Sequence, residues 1–180
     1  MDSEQRIDAA CDGGRALKEL LVFRHAKTER DSVSGRDFDR ELASRGLRDA
    51  QAAGSWLKEQ DCVPDRVVCS TAARARQTAE LTCRACGFDQ RNIEFEKAIY
   101  EAFTGTLFDV VSRHMDCDRM MLVGHNPGFE MLVASLSGRH VTMPTAAIAR
   151  LEWTEPPTDL TAQKASLAAF WTPKNGDLGL

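Results

Sequence analysis

Three short apolar runs, each followed directly by polar residues that can do chemistry, constrain the fold of this chain more than any other feature. The runs cover residues 20–23, 67–69 and 120–123, and longer segments with helical spacing of apolar residues separate them. Short buried strands that alternate with helices are typical of an α/β domain. We therefore expect a three-layer sandwich in which a mostly parallel central sheet is flanked by helices.

The histidines that follow two of these runs are the first candidates for chemistry. Arg24 and His25 follow the first run, and His125 follows the third run after a glycine. In open α/β sheets ligands bind at the carboxyl ends of the strands, where a rigid strand holds a loop side chain in place. The other two histidines, His114 and His140, do not follow a strand, and we predict that they lie on the surface.

The segment after the second apolar run reads Ser-Thr-Ala-Ala-Arg-Ala-Arg-Gln-Thr over residues 70–78. Ser70 or Thr71 is predicted to cap a helix whose first turn carries Arg74. The backbone N–H groups of a helix N-terminus and a guanidinium both favour an anion, so phosphate is the expected ligand. Arg76 lies about 200° further round the helix and is predicted to point away, towards a salt bridge or solvent.

With these three segments the chain resembles the histidine phosphatase superfamily. Members of that superfamily share an Arg-His pair after the first strand, a Ser-x-x-x-Arg-Ala-x-Gln-Thr segment after the second, and a Gly-His pair after a later strand. All three occur here in that order, and the likeness runs from about Leu20 to Trp153. Residues 24–27, 37–40 and 124–128 resemble the SixA-type phosphohistidine phosphatases in particular.

This resemblance implies a phosphoglycerate mutase-like fold and a metal-independent phosphohydrolase that works through a phosphohistidine intermediate. His25 is then the nucleophile, and Arg24, Arg74 and His125 complete the phosphate pocket. Arginine suits this role because its planar guanidinium binds phosphate oxygens in pairs and stays charged at any working pH. Glu101 matches the place where many members keep a general acid.

Three further candidate site residues are predicted around the pocket. A solvent-facing loop carboxylate is the alternative interpretation of Glu101. Lys27 and Thr28, which closely follow the first histidine, are predicted to contact the phosphate from outside the pocket. No cluster of carboxylates or pair of histidines has the spacing of metal ligands, so we expect neither a metal nor a cofactor.

The substrate class follows from what covers the predicted site. The segment 76–119 is too short for the extra helical cap that many small-molecule relatives carry, so an open site without a cap is predicted. The SixA resemblance implies phosphohistidine on a protein as the substrate. A small-molecule phosphomonoesterase with the same pocket is the alternative, and a non-catalytic phosphate-binding module is a third interpretation. Retention of all four pocket residues argues against the third.

Length, charge and cysteine content set the remaining expectations. The 180 residues fit one domain, predicted over residues 17–180 after a polar N-terminal extension of residues 1–16. A formal net charge of −4 gives no reason to expect nucleic acid or an anionic membrane as a partner. Six cysteines without a secretory segment predict free thiols in the cytoplasm. Cys83 and Cys86, one helical turn apart, are predicted to fill a helix face.

Other elements are predicted from apolar spacing. A helix is expected from Ser44, as its cap, to about residue 60, with Leu47 on its buried face. A second helix is expected over residues 107–115. Residues 146–153 and 165–171 are predicted strands, although the second run also fits a helix.

Overall fold

A single seven-stranded sheet forms the centre of the structure. The computed structural model describes residues 16–178, so almost all of the predicted N-terminal extension lies outside the described residues. The strands are β1 (Glu19–Arg24), β2 (Arg66–Ser70), β3 (Ile93–Glu96), β4 (Arg119–Gly124), β5 (Ile148–Glu152), β6 (Ser166–Thr172) and β7 (Gly176–Leu178). Their spatial order is β3-β2-β4-β1-β5-β6-β7.

The sheet is mixed, with a parallel half and an antiparallel half. Strands β3, β2, β4 and β1 pair in parallel, whereas β5, β6 and β7 add to β1 as antiparallel neighbours. The ambiguous apolar run at 165–171 is a strand, because Leu167 and Ala169 are buried while Ala168 between them is exposed. The parallel half carries the three predicted functional segments.

Four helices cover the two faces of the sheet. They are α1 (Ser44–Glu59), α2 (Ala73–Cys86), α3 (Thr104–Ser112) and α4 (Gly128–Ser137). Along β1, Leu20 and Val22 pack in the core on the side of α3 and α4, whereas Leu21 and Phe23 pack on the side of α1 and α2. Burial on both faces explains why β1 reads as a continuous apolar run. The predicted three-layer sandwich is confirmed.

Helix α1 differs from its prediction at its first turn. Its N-cap residue is Ala43, so Ser44 is inside the helix and makes no capping bond, and Leu47 is 41% exposed. The other residues that the spacing places on this face are buried, and glycines pack it closely: a Cβ on Gly46 would lie 2.0 Å from the Lys27 carbonyl oxygen, and one on Gly54 would lie 2.4 Å from the Thr82 carbonyl oxygen. The Lys27 backbone, just after the predicted nucleophile, is therefore held against α1.

Buried thiols fill the core beside α2, as the sequence predicts. Cys83 and Cys86 both pack between α2, α1 and the sheet. Burial raises the pKa of the Cys83 thiol well above its usual range, which keeps the thiol protonated. None of the helices within residues 16–178 is long and apolar enough to cross a membrane.

Candidate active site

The register of two parallel strands brings the two predicted histidines together. Arg24 of β1 pairs with Gly124 of β4, and each strand is followed directly by its histidine. The backbone N–H of His25 donates to the Gly124 carbonyl over 2.9 Å, and the ring centroids of His25 and His125 lie 5.1 Å apart. The two rings therefore share the carboxyl edge of the sheet, where ligands bind in open α/β folds.

A backbone carbonyl sets the tautomer of His25. Its Nδ1 lies 2.8 Å from the carbonyl oxygen of Ala26, which can only accept, so Nδ1–H must donate. The lone pair of the neutral ring is then on Nε2. Burial, with smaller contributions from the positive charges of Arg74 and Arg24, lowers the pKa of His25 to about 4. At neutral pH the ring is thus uncharged and can act as a nucleophile.

Ser70 orients the second histidine. Strand β2 lies next to β4, which places the fully buried Ser70 hydroxyl 2.8 Å from His125 Nε2. The Ser70 oxygen also accepts a long hydrogen bond of 3.4 Å from the Ala72 N–H, and the hydroxyl has no other acceptor within the described chain. The network therefore assigns the hydroxyl proton to a bond towards Nε2, which leaves the ring proton of His125 on Nδ1.

This arrangement corrects the predicted cap of α2 and explains the state of His125. The N-cap of α2 is Ala72, and neither Ser70 nor Thr71 makes a capping bond to the helix. His125 Nδ1 is buried and without a hydrogen-bond partner within residues 16–178. Burial first, and then the neighbouring His25 ring, lower the pKa of His125 to about 3. His125 is therefore a neutral donor in this site.

Arg74 binds a carboxylate in the position where the sequence predicts a phosphate. The residue is 6% exposed, and its guanidinium donates to the Asp37 backbone carbonyl over 2.7 Å and to Asp37 Oδ2 over 2.9 Å. The Tyr100 hydroxyl donates to the same oxygen over 3.2 Å. A guanidinium has five N–H donors, so at least three remain for a second anion. Arg74 can therefore hold a phosphate while Asp37 keeps it in place.

Asp37 is ionised in this setting. Its burial would raise the pKa of the carboxyl group, but a hydrogen bond from Arg40, the charge of Arg74 and the Tyr100 hydroxyl lower the pKa on balance. Arg40 also contributes positive charge that lowers the pKa of His25. Neither Asp37, Arg40 nor Tyr100 was assigned a role from the sequence. The density of Asp and Arg in residues 27–41 was the available signal, and Tyr100 is the only tyrosine of the chain.

A second network holds Arg24. Its Nη1 donates to the Met143 carbonyl over 2.6 Å, and its Nε is buried without a partner among the described residues. Glu130 accepts the Met143 N–H and an Asn126 amide N–H, each over 2.7 Å. The Glu130 carboxylate thus fixes the segment whose carbonyl positions Arg24. Like Ser70, Glu130 lies far in sequence from the group it helps to place.

The three remaining candidates, Glu101, Thr28 and Lys27, have different environments. Glu101 is exposed, has a φ of 51°, and lines a groove that also contains His125. The Thr28 hydroxyl accepts from Arg40 Nη2 over 2.5 Å. The Lys27 side chain is exposed and has no hydrogen bond or ion pair within residues 16–178. The structure brings Glu101 to the rim of the site, whereas a phosphate contact by Lys27 or Thr28 remains a prediction.

One of the two histidines predicted to lie on the surface is buried. His114 is 9% exposed, donates from Nδ1 to the Val110 carbonyl over 2.8 Å, and places Nε2 within 3.5 Å of Glu94 and Glu96. The prediction was wrong because α3 ends at Ser112, so the chain turns back against β3. His140 is exposed, as predicted.

Arg76 points away from the site, as predicted. Its guanidinium carbon lies 4.5 Å from the centroid of the Phe95 ring, so it stacks on an aromatic side chain. The sequence predicted a salt bridge or solvent as its surroundings. Arg76 therefore lies on the same helix as Arg74 but does not face the histidines.

The low pKa values of the two histidines give a testable pH dependence. Because both folded-state pKa values lie below the unfolded value of about 6.5, the folded protein binds fewer protons, and the free energy of unfolding should fall as pH drops from about 7 to 4. NMR should show His25 and His125 neutral down to about pH 5. Titration of either ring near pH 6.5 would contradict the proposed environment.

Comparison with known proteins identifies the family. Residues 20–115 match the histidine phosphatase superfamily (branch 1). An uncharacterized protein of Mycobacterium tuberculosis is 34% identical over 165 residues, which cover 84% of this chain and 100% of the relative.

Solved structures of SixA proteins have the same fold. The structure of a protein from Agrobacterium tumefaciens that is assigned as a SixA phosphohistidine phosphatase is 28% identical to this chain, with a TM-score of 0.74. The match covers 87% of this chain and 99% of the Agrobacterium chain. A corresponding SixA structure from Nakamurella multipartitia is 29% identical with a TM-score of 0.75, over 87% and 96% of the two chains. The chain therefore belongs to the histidine phosphatase superfamily and is a SixA-type phosphatase.

Proposed function

We propose that this phosphatase hydrolyses phosphohistidine on a protein, without a metal, through a covalent phosphohistidine on His25. The observation that carries the proposal is the state of His25: a neutral ring whose Nδ1–H is held by the Ala26 carbonyl and whose Nε2 lone pair is free. Arg24, Arg74 and His125 surround it with donors. A nucleophile within a cationic cradle is what phosphoryl transfer needs.

The first step forms one P–N bond and breaks another. His25 Nε2 attacks phosphorus, and the substrate imidazole, protonated on its second nitrogen, leaves as a neutral ring. The guanidinium groups of Arg24 and Arg74 and the His125 ring face the phosphoryl oxygens, on which the negative charge lies. The covalent intermediate divides one difficult displacement into two easier ones.

The second step hydrolyses the intermediate. The Ala26 carbonyl keeps the ring proton of His25 on Nδ1, so the phosphorylated ring carries a positive charge that favours its departure. Water then attacks phosphorus, the P–Nε2 bond breaks, and dihydrogen phosphate leaves with both protons of the water. His25 returns to its neutral tautomer without an exchange of its Nδ1 proton.

Access to the site supports a protein substrate. Between α2 and β4 the chain forms only β3, two short 3₁₀ helices (Gln90–Asn92 and Lys97–Ile99) and α3, so no additional helical cap occurs among the described residues. The solved structures that are 28% and 29% identical are of proteins assigned as SixA phosphohistidine phosphatases. An imidazole leaving group also depends less on a general acid, and the acid candidate Glu101 is exposed.

A phosphomonoesterase of small molecules is the second candidate function, because Glu101 lies at the rim of the same site.

The five cysteines in the described part of the chain are free and buried, which suits the reducing cytoplasm that we propose as the location of the protein. Nothing in the charge of the chain favours nucleic acid or an anionic membrane as a partner.

Phosphate release from a panel of phosphohistidine proteins and small phosphomonoesters tests the proposal. We expect higher kcat/KM for the P–N substrates, competitive inhibition by vanadate, and no effect of chelators. A strong preference for the esters would favour the phosphomonoesterase. Tight phosphate binding without turnover of either class would favour a non-catalytic module, and activity restored by a divalent cation after chelation would contradict a metal-independent site.

Glu101→Gln should separate the two substrate classes. An alkoxide leaves with a proton from a donor, an effect of about 10²- to 10⁴-fold, whereas the imidazole of phosphohistidine can leave already protonated. We expect kcat/KM to fall by about that factor for alkyl phosphates and much less for phosphohistidine. Glu155→Gln, at another exposed loop carboxylate, is the matched control. Equal losses on both substrates would refute this role, and no loss on either would make Glu101 a bystander.

A further inference from the structure

An apolar groove leads away from the candidate active site on the side of α4. It is lined by residues 101–103, by residues 125–128 and by Met131, so it includes His125 at one end. Two large apolar side chains stand at its mouth: Phe103 is 83% exposed and Met131 is 51% exposed. We call this surface the Phe103 groove.

Close backbone packing holds the Phe103 groove in shape. A Cβ on Gly128 would lie 2.4 Å from the Ala102 carbonyl oxygen and 3.2 Å from Leu107 Cδ1. The loop that carries Phe103 is therefore pressed against the first turn of α4, directly after His125. A preformed groove loses little conformational entropy when a ligand binds.

The polarity of the groove selects its occupant. The phosphate pocket binds an anion through arginine and histidine donors, but the Phe103 groove next to it offers mainly apolar surface. Inorganic phosphate does not reach beyond the pocket, and a sugar phosphate would place hydroxyl groups against Phe103 and Met131, where they lose hydrogen bonds to water. A protein that carries phosphohistidine beside a large apolar side chain would satisfy both surfaces at once.

We propose that the Phe103 groove binds a large apolar side chain next to the phosphohistidine of a protein substrate. This inference rests on the proposed function, and it adds the surface that distinguishes a protein from a small phosphorylated molecule. Aromatic and methionine side chains are enriched at protein interfaces, where a few of them supply most of the binding energy. The groove meets the pocket at His125. One substrate molecule can therefore place its apolar side chain in the groove and its phosphoryl group in the pocket at the same time.

The test compares a protein with a small molecule that has the same reactive bond. The double variant Phe103→Ser/Met131→Ser and the wild type are assayed on a phosphorylated histidine-phosphotransfer protein with an apolar residue beside its phosphohistidine, and on phosphoramidate. We expect kcat/KM for the protein to fall by about 30-fold or more, mainly through KM, as for the loss of two interface anchors. Phosphoramidate hydrolysis should change by less than about twofold.

Two controls isolate the contact. Leu47→Ser removes an exposed apolar side chain from α1, which packs on the opposite face of the sheet, and should change neither substrate. When the apolar neighbour of the phosphohistidine in the substrate protein is replaced by serine, kcat/KM of the wild-type enzyme should fall by as much as the double variant lowers it. The losses from the enzyme change and the substrate change should not add when the two are combined.

The remaining outcomes overturn the inference in distinct ways. Equal losses on the protein and on phosphoramidate would show that the groove residues support catalysis, and no loss on either would show that the protein docks elsewhere. If the wild type hydrolyses phosphoramidate and the protein equally poorly, the proposed function fails, and the inference that rests on it fails with it.

Discussion

His25→Ala should lower kcat/KM by about 10⁴- to 10⁶-fold, the scale on which activated nucleophiles act, while leaving the fold intact. The side chain projects from the loop after β1 and makes one recorded hydrogen bond, to the carbonyl of Ala26. The strand that carries it is buried on both faces and does not depend on the imidazole. The loss should therefore appear in kcat rather than in the melting temperature.

A control variant and a labelling experiment make this expectation specific to the nucleophile. His140→Ala, at an exposed histidine, should retain full activity. Rapid quenching with labelled substrate should leave acid-labile phosphate on His25 in the wild type and none in the variant. Label on another residue, or turnover by His25→Ala within tenfold of the wild type, would show that the covalent intermediate forms elsewhere or not at all.

The strand-end positions of the principal site residues were predictable from the sequence. The runs before His25, Ser70 and His125 are buried on both faces of a sheet, and such strands read as uninterrupted apolar segments. Parallel neighbours end at the same edge, so the polar residues that follow them meet there. The antiparallel half was harder to predict, because short apolar runs fit strands and buried helices equally well.

The supporting contacts could not be predicted, because they depend on tertiary pairing. Asp37 lies 37 residues from Arg74, and Ser70 lies 55 residues from His125, and no local pattern records either pair. Leu47 was placed in the core from helical spacing, but at this turn Gly46 makes the close backbone contact and Leu47 is exposed. Local periodicity therefore predicted the elements, and the family resemblance proposed the nucleophile, whereas the partners that orient the site required the structure.

Arg74→Ala should lower kcat/KM by about 10³-fold or more, because the change removes phosphate donors and exposes a repulsive charge. Removal of a single preorganised donor typically costs about 10²- to 10³-fold. Here Asp37, whose pKa is lowered, loses one of its two arginine partners, and an ionised carboxylate remains beside the incoming phosphate. Arg74→Lys keeps the charge but not the planar pair of donors, so its kcat/KM should lie between those of the wild type and Arg74→Ala.

A double variant separates the lost donors from the exposed charge. Arg74→Ala/Asp37→Asn has no carboxylate at this point, so it should recover about tenfold in kcat/KM and in vanadate affinity over Arg74→Ala alone. In the wild-type background Asp37→Asn should instead reduce activity, since Asp37 holds the guanidinium through its side chain and through its backbone carbonyl. The sign of the Asp37 effect thus reverses with the residue at position 74. Arg76→Ala, on the same helix but stacked on Phe95, is the control for helix damage and should be active. If Asp37→Asn lowers activity equally in both backgrounds, the carboxylate acts on the phosphate site by a route other than Arg74.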